Sequence, residues 1–138
     1  MRFIMAAALA LGLAAPASAD IFTDAEQARP ILGMTKANWI AVREFNGQDL
    51  LYFTHLASYR CALSEIRYGV NSDQPILTYQ PEPCYRDEAT PYAIKPDSGV
   101  QVYVEFPLNH IRTVTVQITY ADGVQETATF DRSGALID

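Results

Sequence analysis

From residue 39 onward, the chain changes to short apolar-rich runs, and in several of them apolar and polar residues alternate with a period of two. The clearest run is Gly99 to Phe106, where apolar residues occupy every even position. A similar run begins at Cys61 and ends at Val70, and a shorter one spans 76–80. Alternation of this kind is typical of β-strands that bury one face against a core. The pattern therefore predicts a mainly β fold.

The dipeptide Asn46-Gly47 separates two apolar-rich runs, at 39–45 and 48–56. Both residues accept the positive φ angles of a type I′ turn, so the sequence predicts a β-hairpin with a two-residue loop. The predicted pairs are Phe45 with Gln48, Val42 with Leu51, and Ile40 with Phe53. This register places the members of the last two pairs on one face, which we expect to be buried.

A second hairpin is predicted from runs at 111–120 and 124–132, and here the hydrophobic pattern selects the loop length. A three-residue loop at 121–123 matches apolar residues with apolar residues, whereas a two-residue loop does not. The predicted pairs are Tyr120 with Val124, Val116 with Ala128, and Val114 with Phe130. The opposite face is rich in threonine, which indicates that it is exposed to solvent.

Thr23 and Glu26 have the spacing of a helix capping box, which predicts a short helix from Asp24 to about Met34. Pro30 and a glycine near its end weaken this helix, so we expect only one or two turns. Together the patterns predict six to seven antiparallel strands, arranged as a β-sandwich or a curled sheet with a short N-terminal helix. The alternative is an α+β arrangement in which that helix packs across an antiparallel sheet.

Residues 1–19 have the pattern of a secretory signal peptide. Arg2 supplies a positive charge, an apolar run of about a dozen residues follows, and Ala17-Ser18-Ala19 matches a cleavage site. The apolar run is shorter than a membrane-spanning helix requires. We therefore expect a single exported, soluble β domain over residues 20–138, located in the bacterial periplasm or secreted.

The charge of the chain argues against some classes of partner. Removal of Arg2 with the signal peptide makes the formal net charge of −6 more negative by one unit. So acidic a chain is repelled by phosphate backbones, and we expect no nucleic-acid partner. No second apolar run is long enough to span a membrane, so we expect no membrane span.

Cys61 and Cys84 are the two cysteines of the sequence. In an oxidising compartment such a pair predicts one disulfide, which stabilises by about 3 kcal/mol in the chain-entropy model. Redox chemistry favours the spacing Cys-x-x-Cys, and a zinc site needs further ligands, for which His55 and His110 are the candidates. We therefore expect a structural disulfide, with no metal and no cofactor.

The segment 81–98 is the first candidate for a binding site. It carries four prolines and Cys84, and long ordered loops in compact domains are often functional. Tyr85, Arg86 and Tyr92 lie within it, and tyrosine and arginine are enriched in binding surfaces. The alternative interpretation is a rigid crossover between two sheets. The segment favours a non-catalytic binding or interaction module of the bacterial envelope, with a protein or another envelope component as partner.

His55 supports an alternative from another functional class, a small secreted hydrolase. In that hypothesis His55 is a general base near the end of the second strand, oriented by Asp49 or Glu65. The sequence contains none of the usual catalytic or phosphate-binding motifs, so no catalytic residue is assigned. The other interpretation of His55 is a histidine at the edge of the core that bonds to the backbone.

Overall fold

The computed structural model describes residues 21–138, so the predicted signal peptide at 1–19 lies outside the described residues. The helices and strands are α1 (Ala25–Met34), β1 (Ala41–Phe45), β2 (Gln48–Tyr52), α2 (Thr54–Ser58), β3 (Leu63–Val70), β4 (Leu77–Tyr79), β5 (Tyr103–Pro107), β6 (Thr113–Tyr120) and β7 (Gln125–Asp131). Two 3-10 turns, Lys36–Asn38 and Arg60–Ala62, precede β1 and β3.

The strands form two antiparallel sheets, one of three strands in the order β1-β2-β5 and one of four in the order β4-β3-β6-β7. Their inner faces share one cluster of buried residues with α1, and the prediction of a β-sandwich with a short helix is confirmed. Among residues 21–138 no helix has the length and apolar character that crossing a bilayer requires.

The first hairpin has the predicted two-residue turn. Val42 pairs with Leu51 and Phe45 with Gln48, and the φ angles of Asn46 and Gly47 are 55° and 77°. The prediction that the second strand continues to residue 56 is wrong. The β1–β2 ladder ends at Ala41–Tyr52, and the next residues turn into α2.

The second hairpin has the predicted three-residue loop. Val116 pairs with Ala128 and Val114 with Phe130, and all four side chains are buried. The threonine-rich face is mostly accessible, with one exception at Thr115, which is buried beside Gly69 of β3. Sheet register therefore followed from matching apolar residues across the turn.

Helix α1 begins one residue later than the capping-box pattern predicts. Asp24, not Thr23, is the N-cap, and its carboxylate accepts the backbone N–H of Gln27 at 3.1 Å. The helix has 10 residues and contains Pro30. Pro30 has no N–H to donate to the carbonyl of Glu26, and both residues are exposed, so that carbonyl can bond to water. Its buried side, which includes Leu32, belongs to the core cluster.

Gly69 of β3 is a position where a side chain has no room. A methyl group there would lie 2.3 Å from the carbonyl oxygen of Gln74, because the turn after β3 folds back over the strand. We expect Gly69→Ala to lower the free energy of unfolding by about 2 kcal/mol, since the backbone of the turn must shift. Urea denaturation followed by circular dichroism measures this change.

Gly33 provides the matched control for the same chemical change. It lies at the end of α1, where a methyl group would meet its nearest neighbour, Glu126, at 3.7 Å. Gly33→Ala should leave stability unchanged or raise it by about 0.5 kcal/mol, because alanine favours the helix. Equal stability of the two variants would contradict the close approach of Gln74 to β3.

Candidate functional site

The loop that the sequence singles out, residues 81–98, is tied covalently to the sandwich. The sulfur atoms of Cys61 and Cys84 are 2.11 Å apart and their Cα atoms 5.1 Å apart, so the predicted pairing is confirmed. Cys61 belongs to the 3-10 turn before β3 and is buried, whereas Cys84 lies near the start of the loop. The disulfide therefore fixes where the loop leaves the sheet.

Arg60 holds the same loop from inside. Its side chain is only 2% exposed, and it donates hydrogen bonds to main-chain carbonyls on both sides of the disulfide. The acceptors are Pro83 at 2.9 Å, Ala57 and Tyr92 at 3.0 Å, and Ala93 at 2.7 Å. Burial lowers the pKa of Arg60, and the nearby carboxylate of Glu82 opposes that shift. A buried guanidinium thus orders the loop by binding several of its carbonyl groups.

Glu82 is the buried counter-ion of Arg60, with 4.0 Å between the charged groups. Its carboxylate also accepts the hydroxyl of Tyr85 at 2.7 Å and the backbone N–H of Lys95 at 3.1 Å. These bonds join the beginning of the loop to its far side. Because buried charges are costly unless paired and hydrogen-bonded, this arrangement favours one conformation of the loop.

The three predicted binding residues differ in how accessible they are. Tyr85 is half-buried, and the ammonium of Lys95 lies 4.0 Å from the centre of its ring. Tyr92 is half-buried and stacks on Phe22 with ring centres 4.3 Å apart. Arg86 is exposed and donates one hydrogen bond, of 3.1 Å, to the carbonyl of Cys61. The two tyrosines pack against other side chains of the protein, and Arg86 is the most exposed of the three.

Arg86 lies on the rim of a cleft of about 410 Å³ between β3 and the start of the loop. One wall is residues 63–66 of β3, and the other is residues 78–84. Arg60 lies at the inner end, where its donors are already used by carbonyl groups. The cleft is therefore an opening between two segments of chain that run side by side.

Two prolines explain why these segments do not pair. β4 pairs with β3 at Ile66–Tyr68 alone, and Ile66 faces Tyr79. Continuing this register places Pro81 opposite Ser64 and Pro83 opposite Ala62, and proline has no N–H to give to a ladder. The two segments come together again at the disulfide. The cleft is thus held between a short ladder at one end and a covalent bond at the other.

The groups of the cleft favour binding over bond cleavage. The hydroxyl of Ser64 lies 3.3 Å from the carbonyl oxygen of Thr119 on β6, and neither histidine lines the opening. The polar groups that remain accessible on its walls are the side chains of Glu65, Thr78, Gln80 and Arg86. These can hydrogen-bond or pair with charge, but they do not form a nucleophile with an adjacent base.

His55 lies on α2, not on a strand as predicted, because the chain turns into a helix at Thr54. Its Nε2 is 3.0 Å from the hydroxyl oxygen of Thr35. That hydroxyl donates to the carbonyl of Ile31 at 2.7 Å, so it accepts from the Nε2–H of the His55 ring. Burial lowers the pKa of His55, which favours the neutral form of the ring.

The two carboxylates considered as orienters of His55 are elsewhere. Asp49 is buried and bonds to Arg132, and Glu65 is exposed on β3. A hollow of about 560 Å³ does lie beside His55, with Tyr52 and Arg43 on its walls. None of the residues that line this hollow is a carboxylate. The residues that line it therefore lack the acid–base pair that the hydrolase hypothesis requires.

Comparison with protein-family models, with curated proteins and with solved structures found no match. Within the described range 21–138, no group of three or more His, Cys, Asp or Glu side chains could hold a metal ion. The geometry of the cleft and of the loop beside it is therefore the basis for assigning a function.

Proposed function

We propose that this protein is an exported, non-catalytic binding module of the bacterial envelope and that the cleft beside the Cys61–Cys84 disulfide is its recognition site. The observation that carries the proposal is the interrupted ladder between β3 and residues 80–83, which leaves an opening with Arg86 on its rim. A disulfide pair suits a protein that works outside the cytosol, in the periplasm or the medium.

The rigidity of the walls supports a binding role. One wall belongs to a strand at the centre of its sheet, and the other is held by the disulfide and by the buried Arg60–Glu82 pair. A site that is ordered before its ligand arrives avoids part of the entropy cost of binding. The polar atoms of Arg60 and Glu82 are already paired, so a ligand is not required to satisfy them.

Blocking the cleft tests this function. Gln80 is an exposed wall residue, and tryptophan at this position would fill the opening without entering the core. We expect immobilised residues 20–138 to retain an envelope component from the native bacterium, and Gln80→Trp to weaken that retention at least about tenfold. Quantitative mass spectrometry of the retained material measures the difference.

Gln101→Trp is the matched control, because Gln101 is exposed and does not line the cleft. It should retain the component as the unchanged protein does, and thermal unfolding should show that both variants are folded. Equal retention by the two tryptophan variants would refute the cleft as the recognition site. Hydrolysis of a substrate that depends on His55 would instead support the alternative function, a small secreted hydrolase.

A further inference from the structure

We propose that the ligand of the cleft is an extended peptide that pairs with the main chain of β3 at Ser64 and places one acidic side chain against Arg86. This inference rests on the proposed function and names the class of ligand. Strand addition of this kind takes affinity from main-chain hydrogen bonds and specificity from a few side chains.

Ser64 is the residue of β3 that has no partner in the register of either neighbouring strand. In the pairing with β6, Leu63 faces Tyr120 and Glu65 faces Thr119, so Ser64 is the extra residue of a bulge. On the other side, the β4 ladder ends at Tyr79, and Pro81 cannot replace it as a donor. No main-chain hydrogen bond joins 62–65 to 80–83 in the described chain. A peptide in the cleft would supply the missing strand.

The true edges of the two sheets are less suitable for strand addition. β7 is already paired with the C-terminal segment, since the N–H of Thr129 donates to Asp138 at 2.9 Å. β1 is flanked by Gly134, where a methyl group would lie 3.8 Å from the Cα of Ala41. β5 ends at Pro107, and β4 has only three residues. Short, covered or proline-ended edges resist pairing, which leaves the interior opening at Ser64.

The charge on the rim selects the side chain of the peptide. Arg86 donates to the carbonyl of Cys61, and no carboxylate lies within ion-pair distance of it in residues 21–138. Its remaining N–H groups can bind a carboxylate through two parallel hydrogen bonds. Glu65 lies on the facing wall and repels an acid placed there. One acidic residue, facing Arg86, therefore fits the charges better than an acidic run.

Short peptides of defined sequence test the inference. The probe is an acetylated and amidated peptide of alternating threonine and valine with a central glutamate, and its partner carries a central lysine. In NMR titrations of isotope-labelled residues 20–138, the glutamate peptide should shift the amides of 63–66 and bind about tenfold more tightly than the lysine peptide. Arg86→Glu should reverse this preference, and Arg86→Gln should remove it.

A third peptide separates main-chain pairing from charge. It keeps the central glutamate but has proline on both sides, so it cannot donate the hydrogen bonds of a strand. We expect it to cause no shifts at 63–66. Equal binding of the proline peptide, or an unchanged preference in Arg86→Glu, would overturn the inference. If none of the peptides binds while Gln80→Trp still abolishes envelope retention, the ligand class is wrong and the proposed function stands.

Discussion

Replacing Asp49 with asparagine is expected to lower the free energy of unfolding by about 3 kcal/mol at neutral pH, because it breaks a buried ion pair. The carboxylate of Asp49 is fully buried and accepts two hydrogen bonds from Arg132, at 2.6 and 2.7 Å. It also accepts the backbone N–H groups of Asn109 at 3.1 Å and Ile111 at 3.0 Å. Asparagine keeps the shape but loses the charge that these donors bind.

The effect of Asp49→Asn should depend on pH in a defined direction. The hydrogen bonds from Arg132 hold the pKa of Asp49 well below its usual range, more strongly than burial raises it. The stabilisation from this group is therefore complete above the pKa of the unfolded chain, near 4, and is lost as the pH falls toward the folded pKa. Urea denaturation at pH 7 and pH 3 should show a smaller difference between wild type and variant at pH 3.

Asp97→Asn is the control for this prediction, since Asp97 is exposed in the proline-containing loop. Its free energy of unfolding should stay within about 0.5 kcal/mol of wild type at both pH values. A difference between wild type and Asp49→Asn that is the same at pH 7 and pH 3 would mean that the charge of Asp49 does not stabilise the fold.

Arg60→Met is expected to have an effect of similar or larger size, about 4 kcal/mol, because it leaves the buried carboxylate of Glu82 without its cation. It also leaves several main-chain carbonyls of residues 57–93 without their donor. The rate of amide hydrogen exchange should increase most in residues 81–98, since these carbonyls belong mostly to that loop. Thermal unfolding and amide exchange measure the two effects.

The double variant Arg60→Met with Glu82→Gln tests whether charge is the cause. Removing the second charge should restore part of the lost stability, which gives a coupling energy between the two residues. Arg112→Met serves as the control, because Arg112 is exposed beside β6. If the double variant is no more stable than Arg60→Met alone, packing rather than ion pairing explains the role of Arg60.

The sheets could be predicted because their signals are local. Asn46-Gly47 fixes the first turn, and the matching of Val116 with Ala128 fixes the second, so both registers follow from a few adjacent residues. Helix α2 was missed for the same reason. Residues 54–58 come directly after a strong strand pattern, so local signals favour a longer strand. We attribute their helical conformation to packing against the rest of the core.

The buried ion pairs depend on residues far apart in the chain, which periodicity does not connect. One signal was present for Asp49: it lies two residues before Leu51 on the same strand and therefore on the core face. A carboxylate on that face requires a cation, but the sequence does not say that Arg132 supplies it. Arg60 likewise stands next to a cysteine, and Glu82 stands between two prolines. No sequence spacing indicates that the two residues pair.

The candidate site could be predicted only in part. The loop at 81–98 and its anchor at Cys84 follow from composition and cysteine count, and the role of Arg86 in binding stays a prediction. The cleft could not be predicted, because it depends on where β4 stops along β3. The end of β4 predicts a cleft only when the strand order is known, because the strand order is what places Pro81 opposite Ser64.

The contact between Asp49 and Arg132 also bears on the order of events during synthesis. Asp49 lies on β2, and Arg132 follows directly after β7, so the contact spans 83 positions and joins the two sheets. In a nascent chain that has not reached residue 132, the carboxylate of Asp49 has no arginine to pair with. Bringing Asp49 and Arg132 together also requires closing a long loop, which is slow. Folding of the sandwich should therefore be completed only late in synthesis, which leaves the emerging polypeptide unfolded while it is still being made.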